Sequence, residues 1–205
     1  MIRLTFILLF VGVFLAEGNA QFGYGITAKT GLYERWTNPS DDISSSATAG
    51  SALLNLGFGP KIWVGSSKFS ISVEASANLA PFAFSLGDFK GLGAASFPVL
   101  ARINFGGLSG LNKKGTIGVS VGGGFQWAKT ELFGLTTDFE NQGGQRKFYK
   151  SFVGEVAAGF GMSGFTGYLF IRYGENNDVG VKTFNLGVGY DFNLPTLKVF
   201  TDPEF

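Results

Sequence analysis

Hydrophobic and polar positions alternate with period two over much of this chain. The alternation is clearest at 69–79, where Phe69, Ile71, Val73, Ala75, Ala77 and Leu79 oppose Ser70, Ser72, Glu74, Ser76 and Asn78. It recurs at 183–192, where Phe184, Leu186, Val188, Tyr190 and Phe192 point one way and Thr183, Asn185, Gly187, Gly189 and Asp191 the other. Successive side chains of a strand point to opposite faces, so each stretch presents one apolar face and one small or polar face. Six further segments carry the pattern: 22–35, 53–64, 92–105, 116–128, 148–161 and 165–173. In the first of them, Phe22, Tyr24, Ile26, Ala28 and Leu32 are expected outward and Thr27, Lys29, Tyr33 and Arg35 inward. Eight such strands predict an all-β, eight-stranded antiparallel transmembrane barrel over 21–194, with its apolar faces in lipid.

The connections support the count. Those after strands one, three, five and seven (36–51, 80–91, 129–147 and 174–180) are long or polar, and those after two, four and six are shorter. Outer-membrane barrels place long loops outside the cell and short turns in the periplasm. Both ends of the mature chain are then expected in the periplasm. Pro60 and Pro98 fit less well, because each falls inside a strand of a closed wall that has no edge to hide a missing N–H.

Energy decides which face is inside. The chosen register turns Lys61, Arg102 and Arg172 into the lumen together with Glu74, Glu155 and Asp191. The opposite register would place three cations in lipid at about 2–4 kcal/mol each near the midplane. An eight-stranded barrel has an interior just wide enough for side chains to fill. The expected lumen is therefore a plug of ion pairs, Ser and Gln, with an ion pathway as the functional alternative.

The first 20 residues read as a secretory signal peptide. Arg3 supplies the basic start, 4–16 the apolar core and Gly18-Asn19-Ala20 the small residues of a cleavage site. That core is shorter than the roughly 20 residues a spanning helix needs. Charged residues make up 15% of the chain, against roughly 25% in average soluble proteins. The balance of 16 basic and 15 acidic residues points to no nucleic-acid partner. The chain has neither Cys nor His. It thus lacks thiol chemistry, a lipid-modified cysteine, the commonest general base and the commonest metal ligand. No cofactor, metal site or catalytic residue is expected.

Two motifs carry little weight. Gly159-Phe160-Gly161-Met162-Ser163-Gly164 matches a dinucleotide fingerprint but leads into another strand, where the fingerprint requires a helix. Asp41-Asp42 and the Asp138/Glu140 pair offer oxygen ligands without the spacing of a calcium loop. Gly122-Gly123-Gly124 reads as room for bulky neighbours or a bend in the wall.

The order Asn185, Gly187, Tyr190, Phe192 (polar, any, Gly, any, any, aromatic, any, aromatic) resembles the C-terminal strand signal of bacterial outer-membrane proteins. The mature chain as a whole resembles Bacteroidetes-type outer-membrane β-barrels and, more distantly, small OmpX/OmpA-type barrels. That resemblance implies residence in the outer membrane of a Gram-negative bacterium, contact with its lipid, and insertion by the barrel-assembly machinery. It implies no single activity, since function in such barrels lives in loops and partners. Lipid A deacylases and palmitoyl transferases are similar in size, but both rely on a catalytic His that this chain lacks. Family members usually end at the signal strand, whereas this chain continues through 195–205, expected to be a periplasmic tail. The expectation is a non-enzymatic barrel with a structural, surface-interaction or accessory-subunit role, its protein partner met through extracellular loops or the tail. Two alternatives stay open, a small-solute channel and a soluble secreted ligand-binding β-barrel.

Overall fold

The computed structural model describes residues 21–39, 48–51, 55–84, 89–141 and 146–201. The signal-peptide segment 1–20 and the Asp41-Asp42 pair lie outside them. Among the described residues ten strands form one antiparallel sheet: β1 (Gln21–Thr37), β2 (Thr48–Ser51), β3 (Asn55–Gly65), β4 (Phe69–Ala75), β5 (Ala77–Ala80), β6 (Leu92–Gly106), β7 (Thr116–Phe133), β8 (Tyr149–Met162), β9 (Phe165–Asn176) and β10 (Val181–Asn193). β2 with β3, and β4 with β5, each fill one place in the wall. β10 pairs with β1 from Gly25↔Asn193 to Thr37↔Lys182, so the sheet closes into an eight-stranded ring.

The register gives the tilt. From Glu34, the row of paired residues runs through Asn185, Arg172, Glu155, Gly122, Arg102, Ser72 and Trp63 and returns to β1 at Gly23. That is eleven residues below its start, or ten without the one residue bulged out of β1. Ten residues of stagger over eight strands tilt the strands by about 40° from the barrel axis.

The outer surface is a lipid belt. Ile62, Val73, Val99, Val121, Val156 and Leu169 are exposed at mid-height. Paired rings bound it on both sides. Phe69–Phe105 (5.2 Å) and Phe165–Phe192 (5.4 Å) lie toward the short turns, and Phe97–Phe148 (5.7 Å) and Phe125–Phe152 (4.7 Å) toward the loops. Phe97 and Phe105 are eight residues apart on β6, which at this tilt is about 20 Å of height, close to the ~25 Å apolar band of membrane barrels. The apolar-out, polar-in order is the reverse of a soluble ligand-binding barrel.

Three departures from simple alternation have local causes. First, β1 bulges at Leu32, where Gly31 faces Gly187 and Tyr33 faces Leu186. The extra residue flips the parity beyond it, so Tyr33 and Arg35, expected inward, are exposed, and Glu34 and Trp36 are buried. Second, Pro60 and Pro98 flank one interruption of the third barrel strand, between Ala75 and Ala77. The register is unchanged across it: Lys61↔Glu74 and Phe58↔Ala77 on one side, Ala75↔Val99 and Asn78↔Ser96 on the other. Neither proline marks a bulge. Their missing donors meet at one point of the wall, where the Ser76 N–H bonds the Pro98 carbonyl (3.0 Å).

Third, the connections are less asymmetric than expected. β7 extends to Phe133, beyond the expected end at residue 128, and the connection after β9 shrinks to 177–180. The turn after β8 is tight, with positive φ at Ser163 (50°) and Gly164 (81°), as a type I′ hairpin requires. The nine-residue connection after β6 folds inward as a 3-10 turn (Gly107–Ser109) that buries Leu108 and Leu111 in the barrel mouth. Asn193 Nδ2 donates to the Gly110 carbonyl (2.8 Å) and Ser70 Oγ to the Ser109 carbonyl (2.7 Å), which hold it there. After β10 the chain forms helix α2 (Leu194–Thr201), with Pro195 in its first turn, packed against β1 and β10. A short helix α1 (Thr137–Asn141) lies in the connection after β7.

The belt assigns a depth to each outward position. Val121→Arg should destabilise the folded barrel by about 2–4 kcal/mol and Ile117→Arg, at the rim, by about 0–1 kcal/mol. Urea unfolding in phospholipid vesicles measures both, and equal costs would contradict the placement of the belt.

Candidate functional site

Alternation turns a set of ionisable side chains into a lumen without bulk water, where each must find a partner. The sequence-derived cluster is brought together there: Lys61, Glu74, Arg102, Glu155, Arg172 and Asp191 are all buried. Glu155 is the hub. Arg172 approaches its Oε2 through Nη2 (2.6 Å) and Nε (2.9 Å), Arg102 Nη2 contacts its Oε1, and Lys29 lies 3.8 Å away. Glu74 is the second anion, receiving Lys29, Arg102 (2.9 Å) and Lys61 (3.5 Å). Asp191 accepts Lys61 Nζ (2.6 Å) and the Tyr168 hydroxyl (3.1 Å).

Small residues make the network possible. Gly122 sits in register between Arg102 and Glu155, and a Cβ there would come within 2.6 Å of Arg102 Cγ. On β10, a Cβ at Gly187 would stand 2.6 Å from the Phe170 ring and one at Gly189 2.3 Å from the Tyr168 ring. These two rings then floor the cations, with Lys29 5.4 Å and Arg172 5.4 Å from Phe170 and Arg102 5.3 Å from Tyr168. Such stacking is worth about 2 kcal/mol when desolvated.

The sequence-derived cluster omitted two charged members. Lys29 faces inward as its alternation indicates, and it adds a fourth cation. Glu34 is the fourth anion, bonded by Asn185 Nδ2 (2.7 Å). Four buried cations of the spanning part (Lys29, Lys61, Arg102, Arg172) share the lumen with four carboxyl groups (Glu34, Glu74, Glu155, Asp191) among the described residues; Glu74, Glu155 and Asp191 pair with the cations, whereas Glu34 is held by the Asn185 amide. No signal in the composition marks Glu34, which enters the lumen only through the Leu32 bulge.

The lumen also holds more apolar bulk than a plug of ion pairs, Ser and Gln. Trp63 (0% exposed) and the inserted Leu108 fill its lower part, while Leu100, in register with Glu74, and Phe170, against Lys29 and Arg172, lie among the charges. Trp36, Ala80, Ala83, Ala94, Ala128, Tyr149 and Val181 pack together across its upper end. Above them Arg146 bonds Glu131 (2.8 Å) and stacks on Phe139 of α1 (4.9 Å).

The four residues of the strand signal fall on two faces. Asn185 and Gly187 face the lumen, serving Glu34 and Phe170 respectively. Tyr190 and Phe192 lie on the outer face, both against Phe165 (6.1 and 5.4 Å).

Removing one partner from this network leaves a buried charge exposed to its like neighbours. Glu155→Gln should therefore cost about 3–5 kcal/mol of unfolding free energy. Lys61→Met and Asp191→Asn should each destabilise, while the double substitution falls short of their sum by about 1–3 kcal/mol. Urea unfolding followed by tryptophan fluorescence measures the cycle, and strict additivity would contradict the pairing.

No known protein family matches the chain, and neither does any curated protein. Among solved structures it is similar to Ail, the attachment invasion locus protein of Yersinia pestis, at 17% identity over 84% of this chain and 99% of that one (TM-score 0.40). It is similar to Neisserial surface protein A at 13% identity over 86% and 99% (TM-score 0.46). It is also similar to the N-terminal β-barrel domain of Pseudomonas aeruginosa OprF at 12% identity over 85% and 100% (TM-score 0.43).

Proposed function

We propose that this chain is a non-enzymatic outer-membrane barrel of a Gram-negative bacterium of Bacteroidetes type, with a structural, surface-interaction or accessory-subunit role. The observation that carries this reading is a closed wall around a lumen filled by an ion-pair network and apolar packing at both mouths. Such an interior supports a rigid, membrane-anchored platform better than a solute path. The absence of His and Cys supports a role without catalysis. In this reading residues 1–20 are removed on export, the short turns and both mature ends face the periplasm, and the connections after β1, β5, β7 and β9 face outward, where a protein partner meets them. Helix α2 and the tail 195–205 then lie on the periplasmic side.

The reading also assigns Asn185, Gly187, Tyr190 and Phe192 to recognition by the barrel-assembly machinery. Losing one rim aromatic should cost only about 1–3 kcal/mol. Failure to close the wall strands a whole edge of backbone groups in lipid at several kcal/mol each. Tyr190→Ala with Phe192→Ala should therefore abolish the heat-modifiable band in outer-membrane fractions. Phe69→Ala with Phe105→Ala, an equivalent rim pair remote from β10, should retain it, as should deletion of 195–205. Phe165 is unsuitable as a control because it touches both signal aromatics. Equal loss from the two aromatic pairs, or loss only on removal of the tail, would overturn the assignment.

A further inference from the structure

The rim that carries the short turns has a charge pattern of its own. Lys68, in the turn after β3, and Lys113 and Lys114, in the connection after β6, line a recess of about 590 Å³ with Gln21, Asn112 and Thr116. Their backbones are pinned. The Lys68 carbonyl accepts the Gly106 N–H (2.9 Å), the Lys113 carbonyl accepts Ser163 Oγ (3.1 Å) and the Lys114 N–H donates to Asn112 Oδ1 (2.8 Å). The three side chains are exposed. Among the described residues of this rim the only carboxylate is Asp191, buried and held by Lys61 and Tyr168. Among the described residues, the recess thus presents three cations with no neutralising group in reach.

What lies directly above it selects the ligand. The recess spans the ends of β1, β3, β4, β6 and β7. The same strands turn Phe22, Val64, Phe105 and Ile117 (81% exposed) outward, with Phe69 edge-on to Phe105. A basic pocket at the ends of strands that carry a lipid-facing strip matches a molecule that is anionic at one end and apolar along the other. Clustered lysines at a membrane surface attract anionic headgroups. We propose that this recess binds the phosphate of an anionic phospholipid from the adjoining leaflet, whose acyl chains lie along Phe22, Phe69, Phe105 and Ile117. The lysines supply charge-assisted hydrogen bonds to the phosphate oxygens, and the aromatic strip supplies contact for the chains.

The inference rests on the chain spanning a bilayer. If that reading fails, no heat-modifiable barrel is recovered from lipid, whereas failure of the site leaves a folded barrel without lipid preference. The experiment reconstitutes the folded protein in nanodiscs of equal phosphatidylglycerol and phosphatidylcholine and counts retained lipid by native mass spectrometry. The wild type should retain phosphatidylglycerol with about tenfold preference, and K68Q/K113Q/K114Q should lose it. Lys113→Gln alone should lower the preference by about threefold. K147Q/K182Q, exposed lysines at the opposite end, should keep the full preference. Millimolar glycerol phosphate should fail to displace the lipid. Equal retention of both lipids, an undiminished preference in the triple variant, or displacement by glycerol phosphate, which would mark a free-anion site, would each overturn the proposal. So would lysine-dependent capture of an acidic periplasmic protein in place of the lipid.

Discussion

The carboxylate of Glu155 is the contact on which the rest of this structure depends. Two guanidinium groups converge on it from β6 and β9, and Lys29 reaches toward it from β1. Strands distant in sequence are thereby tied across the lumen as well as along the wall. Neither side of the barrel offers these charges an alternative. Outside is hydrocarbon, where a cation costs about 2–4 kcal/mol, and inside there is no room for bulk solvent. Pairing of these charges then becomes a condition on the fold. The Leu32 bulge serves it by turning Arg35 out of the lumen, while Glu34, turned inward, is held by Asn185. The glycines of β7 and β10 serve it too, since Arg102 reaches Glu155 across Gly122, and Tyr168 and Phe170 lie over Gly189 and Gly187.

The strand count, the facing of most strands and the inward placing of seven of the eight charged side chains buried in the spanning part, Lys29 among them, were legible in the sequence because a period of two is a local property that lipid on one side makes stringent. Strand 69–79 reads correctly residue by residue for this reason. What was not legible depends on backbone events or on partners far away in the chain. A one-residue bulge leaves no mark on composition, so alternation puts Tyr33 and Arg35 on the wrong face and does not single out Glu34. Pro60 and Pro98 each looked like a local fault. Only the register shows that both sit opposite the same break at Ser76. The inward fold of 107–111 rests on Ser70, Trp63 and Asn193, three residues spread over the chain, and reads in isolation as an ordinary Gly-rich turn.

The interior is therefore layered. The 3-10 turn with Leu108 and Leu111 fills one mouth, the charge network occupies the middle, and Trp36, Tyr149 and Val181 with four alanines close the other. Each layer is held by different chemistry, and a solute path would have to break all three. The most direct test is planar-bilayer recording with protein verified as folded by its heat-modifiable migration. A plugged lumen predicts no discrete current steps above the bare bilayer at moderate voltage. Reproducible unitary steps that scale with salt concentration would contradict it.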